Sequence, residues 1–345
     1  MSASNVEAHI VSDLTNVQWL TGFTGSSGFA LVTHSDALFM TDGRYTIQAS
    51  GEVKDMEVAT YQRPQSIEGF IAENAKKRGL KKLWFERSIS FGTWQSWQKT
   101  FADFDLFDAP DLVRSLRMIK TTDEVKKITT ACKITDACLE HVSRMIQVGV
   151  CEYDIQLDIE FFIKRQGADI AFTPIAVSGA NSARPHGHAT EKLLEHGDFV
   201  TLDLGAKKDG YCSDITRTFV VSDASKRHIQ VYDEVLKAQI AAIDAAKVGT
   251  SGIELDNAAR RVFDGNGFTQ YFVHGLGHGL GREVHDPGNL SQSSSDTLEA
   301  GQVWTIEPGL YIEGFGGVRI EDDVHVTPTG AEVLTDFPKG LTVLG

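Results

Sequence analysis

The sequence predicts a mixed α/β (α+β) protein of two domains, and three observations carry that expectation. At 345 residues the chain is too long for one ordinary core and long enough for two. Residues 1–118 alternate strand-like with helix-like segments. From 119 to 345, two pairs of helical stretches are each followed by a β-rich run.

In the first domain, GFALVTHSDALFMTD reads as a β-hairpin around His34-Ser35-Asp36. Ile67, Phe70, Ile71 and Ala75 have helical spacing within 66–78, and KLWFE is a short buried strand. The cluster TGFTGSSGF lacks the lysine and following helix of a phosphate-binding loop, so it reads as a turn.

The second domain opens near Lys120. Thr121 with Glu124 three residues on suits a capping box, which starts a long helix towards Val148. A further helix runs over 152–166 and stops at Gly167. Several features then recur about one hundred residues later: Val148-Gly149 as Val248-Gly249, Gly167 as Gly267, and Phe172 as Phe272. Helices over 226–246 and 253–266 match the first pair. Asp203 and Asp214 follow the first pair, Glu307 and Glu321 the second. Two similar halves facing one another are expected.

The stretch FVTLDLGAKKDGYCSDITRTFVV reads as two strands joined by a tight turn at Lys207-Lys208-Asp209-Gly210, since Asp-Gly between alternating runs is a hairpin signal. With a two- or four-residue loop, paired numbers sum to an odd value, so Asp203 and Asp214 project from one face, opposite or diagonal to each other. A three-residue loop would place them on opposite faces. Neighbouring carboxylates repel and raise each other's pKa, so the arrangement calls for a cation or a shared proton.

Glu307 lies in VWTIEPGLY, a strand that stops at Pro308-Gly309, and Glu321 in the strand GGVRIEDDVHV. In YFVHGLGHGLGREVHDPG, His274 and His278 are four residues apart, on one side of either a helix or a strand. The alternating glycines disfavour the helix and let other backbone approach closely. The run is neither HExxH nor GxGxxG, which removes a zincin and a dinucleotide fingerprint. Four carboxylates with one or two histidines suit two divalent ions of the Mn, Co or Zn kind better than a structural zinc. A water bridging two such ions loses its proton near pH 7 and can attack a carbonyl. Histidines then stabilise the oxyanion or protonate a leaving amine, and His186 and His285 are candidates. Arg319, two residues before Glu321, shares its face in a regular strand and could pair with a ligand carboxylate or a substrate.

A formal charge of −14 disfavours general affinity for nucleic acid or anionic membrane. The four cysteines form no CxxC pair, and the start of the chain has neither a basic nor an apolar run, which points to a reduced, cytoplasmic protein. No stretch is apolar enough for a membrane span.

At LDLGAKKDGYCSDITRTF, HGLGHGLGREVHDPG, IEPGLY and GGVRIEDD, in that order, the sequence resembles the pita-bread metallopeptidases, the family of methionine aminopeptidase, aminopeptidase P and prolidase. The resemblance covers essentially the whole chain. It implies a pita-bread (creatinase/aminopeptidase) catalytic domain over 119–345, built of two pseudo-symmetric halves, behind a smaller creatinase-like α/β domain over 1–118. It implies further that Asp203, Asp214, His278, Glu307 and Glu321 hold two metal ions, manganese in first place, with cobalt or zinc as alternatives. Asp214 and Glu321 would bridge the ions. Asp203 would complete one site, and His278 with Glu307 the other. Glu307 would exchange a proton with the bridging water, and His186, His274 and His285 would bind substrate and handle protons.

WLTGFTGSSGFALVTHSDALFMTDGRYTIQA looks most like the aminopeptidase P branch, which implies release of an N-terminal residue that precedes proline. A prolidase acting on Xaa-Pro dipeptides is the alternative, and Arg184 departs from the small or aliphatic residue usual before Pro-His. A non-catalytic binding module on the same fold is the rival from another class, and a metal-free creatinase-like hydrolase a further one; the intact ligand set speaks against both. The N-terminal domain disfavours methionine aminopeptidase. Proline-containing peptides and a second copy in a homodimer are the partners that the resemblance implies.

Overall fold

A computed structural model describes residues 6–109 and 111–345. Two compact units result, Met1–Arg117 and Met118–Gly345. The first contains β1 (Ala8–Val11), α1 (Leu14–Thr21), β2 (Phe29–Thr33), β3 (Ala37–Asp42), α2 (Thr46–Glu52), β4 (Glu57–Tyr61), α3 (Ile67–Lys77), β5 (Lys82–Phe85), α4 (Phe91–Thr100), β6 (Asp105–Asp108) and the start of α5 (Leu112–Met118). Its sheet has the order β4-β3-β2-β1-β5-β6. The hairpin around His34 is β2–β3, with Val32 opposite Ala37. The helix within 66–78 is α3, capped by the Ser66 hydroxyl on the Gly69 amide. Ile10, Leu31, Leu38, Ile71 and Leu83 fill the core between sheet and helices. The Gly-Ser cluster forms irregular chain between α1 and β2.

The second unit begins with α6 (Thr122–Ser143), whose capping box joins Thr121 and Glu124 reciprocally. This helix ends five residues short of Val148, its final turn tightened by a Met145 amide bond to Val142 O (2.9 Å). There follow α7 (Glu152–Arg165), β7 (Asp169–Ile170), β8 (Ile175–Ser178), β9 (Phe199–Leu204), β10 (Ala206–Lys208), β11 (Tyr211–Cys212) and β12 (Ile215–Val221). Next come α8 (Lys226–Ala245), α9 (Gly252–Gly265), β13 (Gly277–Gly279), β14 (Asp286–Leu290), β15 (Val303–Ile306), β16 (Gly309–Ile312), β17 (Gly316–Arg319), β18 (Asp322–Thr327), β19 (Gly330–Val333) and β20 (Val343–Leu344).

The halves of this unit repeat one another in detail. Gly149 and Gly249 have φ of 87° and 89°, and their amides bond Leu194 O and Leu298 O, both at 2.9 Å. One isolated bridge joins Cys151 to Leu193, another Ser251 to Thr297. Its two larger sheets are β20-β12-β9-β8 and β14-β13-β15-β18-β19, beside the smaller β11-β10-β7 and β16-β17. Asp203 lies on β9 and Asp214 just before β12, as Glu307 lies just after β15 and Glu321 just before β18. Among the described residues, no helix is long and apolar enough to cross a membrane. All four cysteines are unpaired thiols.

The turn at Asp209-Gly210 has φ of 50° and 80°, the two left-handed residues that a two-residue hairpin loop demands. Lys208 therefore pairs with Tyr211, and the same register continues to Asp203 opposite Thr216. Asp214, two residues before Thr216, is diagonal to Asp203 on one face. The alternating glycines let β13 enter its sheet: a Cβ on Gly277 would stand 2.1 Å from Thr305 O, and one on Gly279 2.1 Å from Pro287 O. Gly277→Ala should therefore destabilise the unit by about 1–3 kcal/mol. Gly265→Ala, at an open position in α9 with nothing within 4 Å, should stabilise it by roughly 0.5–1 kcal/mol. Urea unfolding of both variants checks the contrast; equal effects would contradict the packing around β13.

Candidate active site

Three of the expected ligands converge: one donor atom each from Asp214, His278 and Glu321 lie within 4.8 Å of one another. Glu307 joins them, its Oε1 standing 3.5 Å from His278 Nε2, and Asp214 Oδ2 is 3.7 Å from the same nitrogen. Asp203 lies beside this group but turns Oδ2 to Arg319 Nη2 at 2.5 Å. The strand expected to run through Glu321 is broken. β17 pairs with β16 and β18 with β15, and Ile320-Glu321 cross between them, the Glu321 amide bonding Thr216 O (3.1 Å). That crossing brings a carboxylate from the second half to β12, which Asp214 precedes and which pairs with the β9 strand of Asp203.

Burial sets the protonation of these groups. Desolvation first, then the charge of neighbouring carboxylates, raises the carboxyls of Asp214 and Glu321 well above the usual range. Burial also pushes Glu307 up to about 7, with Arg319 opposing and Asp203 adding to the shift. Desolvation lowers His278 and His274 to about 4, so both imidazoles are neutral at pH 7. Their tautomers follow from their partners. Nδ1 of His278 faces Gly279 O at 3.1 Å, and since a carbonyl only accepts, the proton is on Nδ1. The free Nε2 lone pair is thus aimed at two carboxylates beyond hydrogen-bond distance, an arrangement that repels unless a cation lies between. Asp203 Oδ1 and Asp214 Oδ1 are buried without a hydrogen-bond partner. Lone pairs of a neutral nitrogen and of buried carboxyl oxygens that lack a hydrogen-bond partner form a donor set that fits divalent cations.

The other expected residues take distinct places. Both nitrogens of His274 are engaged, Nδ1 with Gly275 O (2.7 Å) and Nε2 with the Tyr311 hydroxyl (2.9 Å). Since Arg319 Nη1 donates to that hydroxyl (2.8 Å), Tyr311 is left to donate to His274. His285 is exposed and meets the His278 ring edge-on, with centroids 4.2 Å apart. His186 is exposed on the loop after β8. Arg319 is buried, and besides Asp203 and Tyr311 it holds Pro185 O (3.1 Å) and the Thr216 hydroxyl (3.0 Å). Thr216 in turn donates to Glu321 Oε2 at 2.6 Å.

Sequence reasoning left out five supporting residues. Thr216 and Tyr311 carried a signal: one is directly opposite Asp203, the other diagonal to Arg319 across the β16–β17 hairpin. Asp323, fully buried, accepts the amide of Asp214 (2.9 Å) and the thiol of Cys132 (3.3 Å). Glu152, also buried, accepts the amide and hydroxyl of Ser178 (2.6 and 2.7 Å), those of Thr190 (2.9 and 2.8 Å) and the Asn181 amide (3.2 Å), closing both ends of the His186 loop. Nothing local in the sequence marks either acid. Arg217 straps the back of the site, donating to Thr216 O (3.0 Å), Glu321 O (2.6 Å), Phe337 O (2.6 Å) and Pro338 O (3.2 Å), and pairing with Asp322 (2.7 Å).

Comparison with known proteins agrees with this geometry. Residues 126–328 match the model of metallopeptidase family M24, and residues 1–119 that of the creatinase/prolidase N-terminal domain. A Bacillus subtilis protein described as an uncharacterised peptidase is 40% identical over 341 residues, covering 98% of this chain and 96% of that protein. The structure of an Xaa-Pro dipeptidase from Bacillus anthracis is similar with TM-score 0.96 and 38% identity, over 99% of this chain and 96% of that one. That of an X-Pro aminopeptidase from Thermotoga maritima has TM-score 0.93 and 32% identity, over 99% of both chains. These similarities bear out the two-domain pita-bread architecture expected from the sequence.

The raised carboxyls give a signed expectation for the metal-free protein. A folded-state pKa of about 7 for Glu307, against 4.5 ordinarily, contributes stability that is complete below pH 4.5 and lost as pH rises through about 7. Asp214 and Glu321, raised further, extend that loss to higher pH. In chelator, thermal unfolding should therefore fall to lower temperature as pH rises through this window. Asp214→Asn should be more stable than the parent in chelator at neutral pH, yet retain less metal. A metal-free parent whose stability rises over the same window would contradict the electrostatics described.

Proposed function

From the premise that the chain belongs to metallopeptidase family M24, and is therefore a metal-dependent hydrolase, we propose that it hydrolyses the peptide bond between an N-terminal residue and proline. The observation that carries this reading is the pair of unpartnered, buried oxygens on Asp203 and Asp214 beside the neutral, outward-aimed Nε2 of His278. Asp203, Asp214, His278, Glu307 and Glu321 would hold two divalent ions, with manganese preferred to cobalt or zinc. Bound ions supply Lewis acidity and acidify water towards neutral pH.

The chain's own groups do the rest. Glu307 takes a proton from the attacking water and returns it to the proline nitrogen. His186 and His285, both exposed at the site, bind substrate and donate to the developing oxyanion. His274, held by Tyr311, lines the pocket as a neutral ring. Arg319 pairs with Asp203 and orients it, and offers a positive charge towards substrate.

Dipeptide hydrolysis is the finer reading favoured by likeness to the Bacillus anthracis Xaa-Pro dipeptidase. Arg184, exposed on the His186 loop, would there meet the substrate's C-terminal carboxylate. Action on longer peptides, as an Xaa-Pro aminopeptidase, is the second reading, favoured by the Thermotoga maritima structure.

Protein stripped of metal and reloaded with manganese, cobalt or zinc should cleave an Xaa-Pro dipeptide. Cleavage of an Xaa-Pro-Yaa tripeptide as well would select the aminopeptidase reading, and cleavage of neither with any metal would overturn both. His278→Ala should lower metal occupancy, whereas His274→Ala should slow turnover with metal retained. Equal loss of metal in the two variants, read by elemental analysis, would refute the division between ligand and pocket histidine.

A further inference from the structure

Glu152 opens α7, but its buried carboxylate serves a segment 26 to 38 residues further on. Its two oxygens divide that work. Oε1 accepts the amide and hydroxyl of Ser178, where β8 ends, and Oε2 accepts the amide and hydroxyl of Thr190 and the side-chain amide of Asn181. One oxygen thus holds the start of the segment 179–190 and the other its end. With donors on every side, only a group that accepts at both atoms fits; the NH2 of a glutamine would face a donor.

The segment held in this way carries His186. Asn181 Nδ2 also donates to His188 O (3.0 Å), and Ser182 Oγ donates to Gly179 O (2.6 Å) while accepting the Gly317 amide (2.8 Å). Arg319 Nη1 holds Pro185 O (3.1 Å), immediately before His186, and the same guanidinium pairs with Asp203. The ring of His186 is exposed and has no hydrogen-bond partner among the described residues. Its place is therefore set by the backbone on either side.

The internal repeat shows what the acid replaces. In the second half, the segment at the matching place carries His285, and a backbone ladder holds it, since β13 pairs with β14 from Gly277 opposite Leu290 to Gly279 opposite Asp286. That ladder runs so close to the start of α9 that a Cβ on Gly252 would stand 2.9 Å from Asn289 O and 2.3 Å from Ser294 Oγ. A glutamate has no room there. Among the described residues of the first half, β8 is followed by no such returning strand before β9. The carboxylate of Glu152 joins Ser178 to Thr190 in place of the ladder.

We infer that Glu152 is the positioning residue for His186, fixing both ends of its segment so that the imidazole meets the substrate, while its own oxygens stay engaged elsewhere. What His186 does there rests on the Xaa-Pro peptidase reading; that Glu152 holds the segment does not.

Glu152→Gln keeps the shape of the side chain and turns one acceptor into a donor. In the metal-loaded full chain, hydrogen exchange read by mass spectrometry should become about tenfold faster or more over residues 178–190, and stay as in the parent over α8 and α9. Against an Xaa-Pro peptide, kcat/KM should fall about tenfold or more with metal content unchanged. Because Glu152 acts through His186, adding Glu152→Gln to His186→Ala should lower kcat/KM by less than about twofold further, whereas a merely structural loss would multiply. Unchanged exchange over 178–190, losses that multiply, or a His186→Ala protein as active as the parent each overturn the inference. If Glu152→Gln folds poorly, Ser178→Ala removes a single donor to Oε1 and should show the same pattern on a smaller scale; parental exchange and turnover in that variant overturn the inference equally. A parent that cleaves no Xaa-Pro peptide refutes the peptidase reading and the role in turnover with it, while exchange still reports whether Glu152 holds the segment.

Discussion

Mutual repulsion among carboxylates that water does not reach is the constraint on which this catalytic unit is arranged. Asp203, Asp214, Glu307 and Glu321 occupy one small volume, and burial together with neighbouring carboxylates makes Asp214, Glu307 and Glu321 harder to ionise. The surrounding structure answers in three ways. A buried guanidinium, Arg319, neutralises Asp203. Hydroxyl and amide donors fix the remaining geometry, with Thr216 on Glu321 and the Asp214 amide on Asp323. The imidazole of His278 stays uncharged and presents a lone pair. A site built in this way bears a tension that a bound cation would relieve, which would couple occupancy to both pH and folding.

Much of this was legible in the sequence because it rests on counting. A two-residue turn fixes register, and register fixes which carboxylates share a face, so Asp203 and Asp214 could be placed together before any coordinates. The repeat was legible for a similar reason: Gly149 and Gly249 take nearly the same positive φ, a demand that few other residues meet. What escaped depends on the chain departing from regularity. Period-two reasoning carried GGVRIEDDVHV through as one strand, but the chain changes sheets at Ile320-Glu321, where Pro308 O and Thr216 O accept the two amides. Arg319 and Glu321 still meet, through Thr216 rather than along a common strand. Glu152 escaped because its partners lie 26 to 38 residues away and no local pattern announces them.

Duplication explains both the symmetry and its limits. Each half contributes two carboxylates from equivalent strands, so the four come together only where the halves meet. Away from that seam the halves have diverged. The first keeps the loop of His186, clasped by Glu152, while the second has Gly252 at the matching place, with Ser294 against it.

The strap made by Arg217 gives the site a place in time. Every proposed ligand has been synthesised once Glu321 is in the chain, yet Arg217 needs the carbonyls of Phe337 and Pro338 to hold Glu321 from behind, and β12 gains its parallel neighbour only with Val343 and Leu344. Domains fold as units while they leave the ribosome. A nascent chain that has exposed all its ligands but not residues 337–344 therefore lacks the backing that sets them in position. The peptidase centre matures late, after the chain has cleared the exit tunnel well past its last ligand, and a growing polypeptide nearby meets a finished enzyme or none.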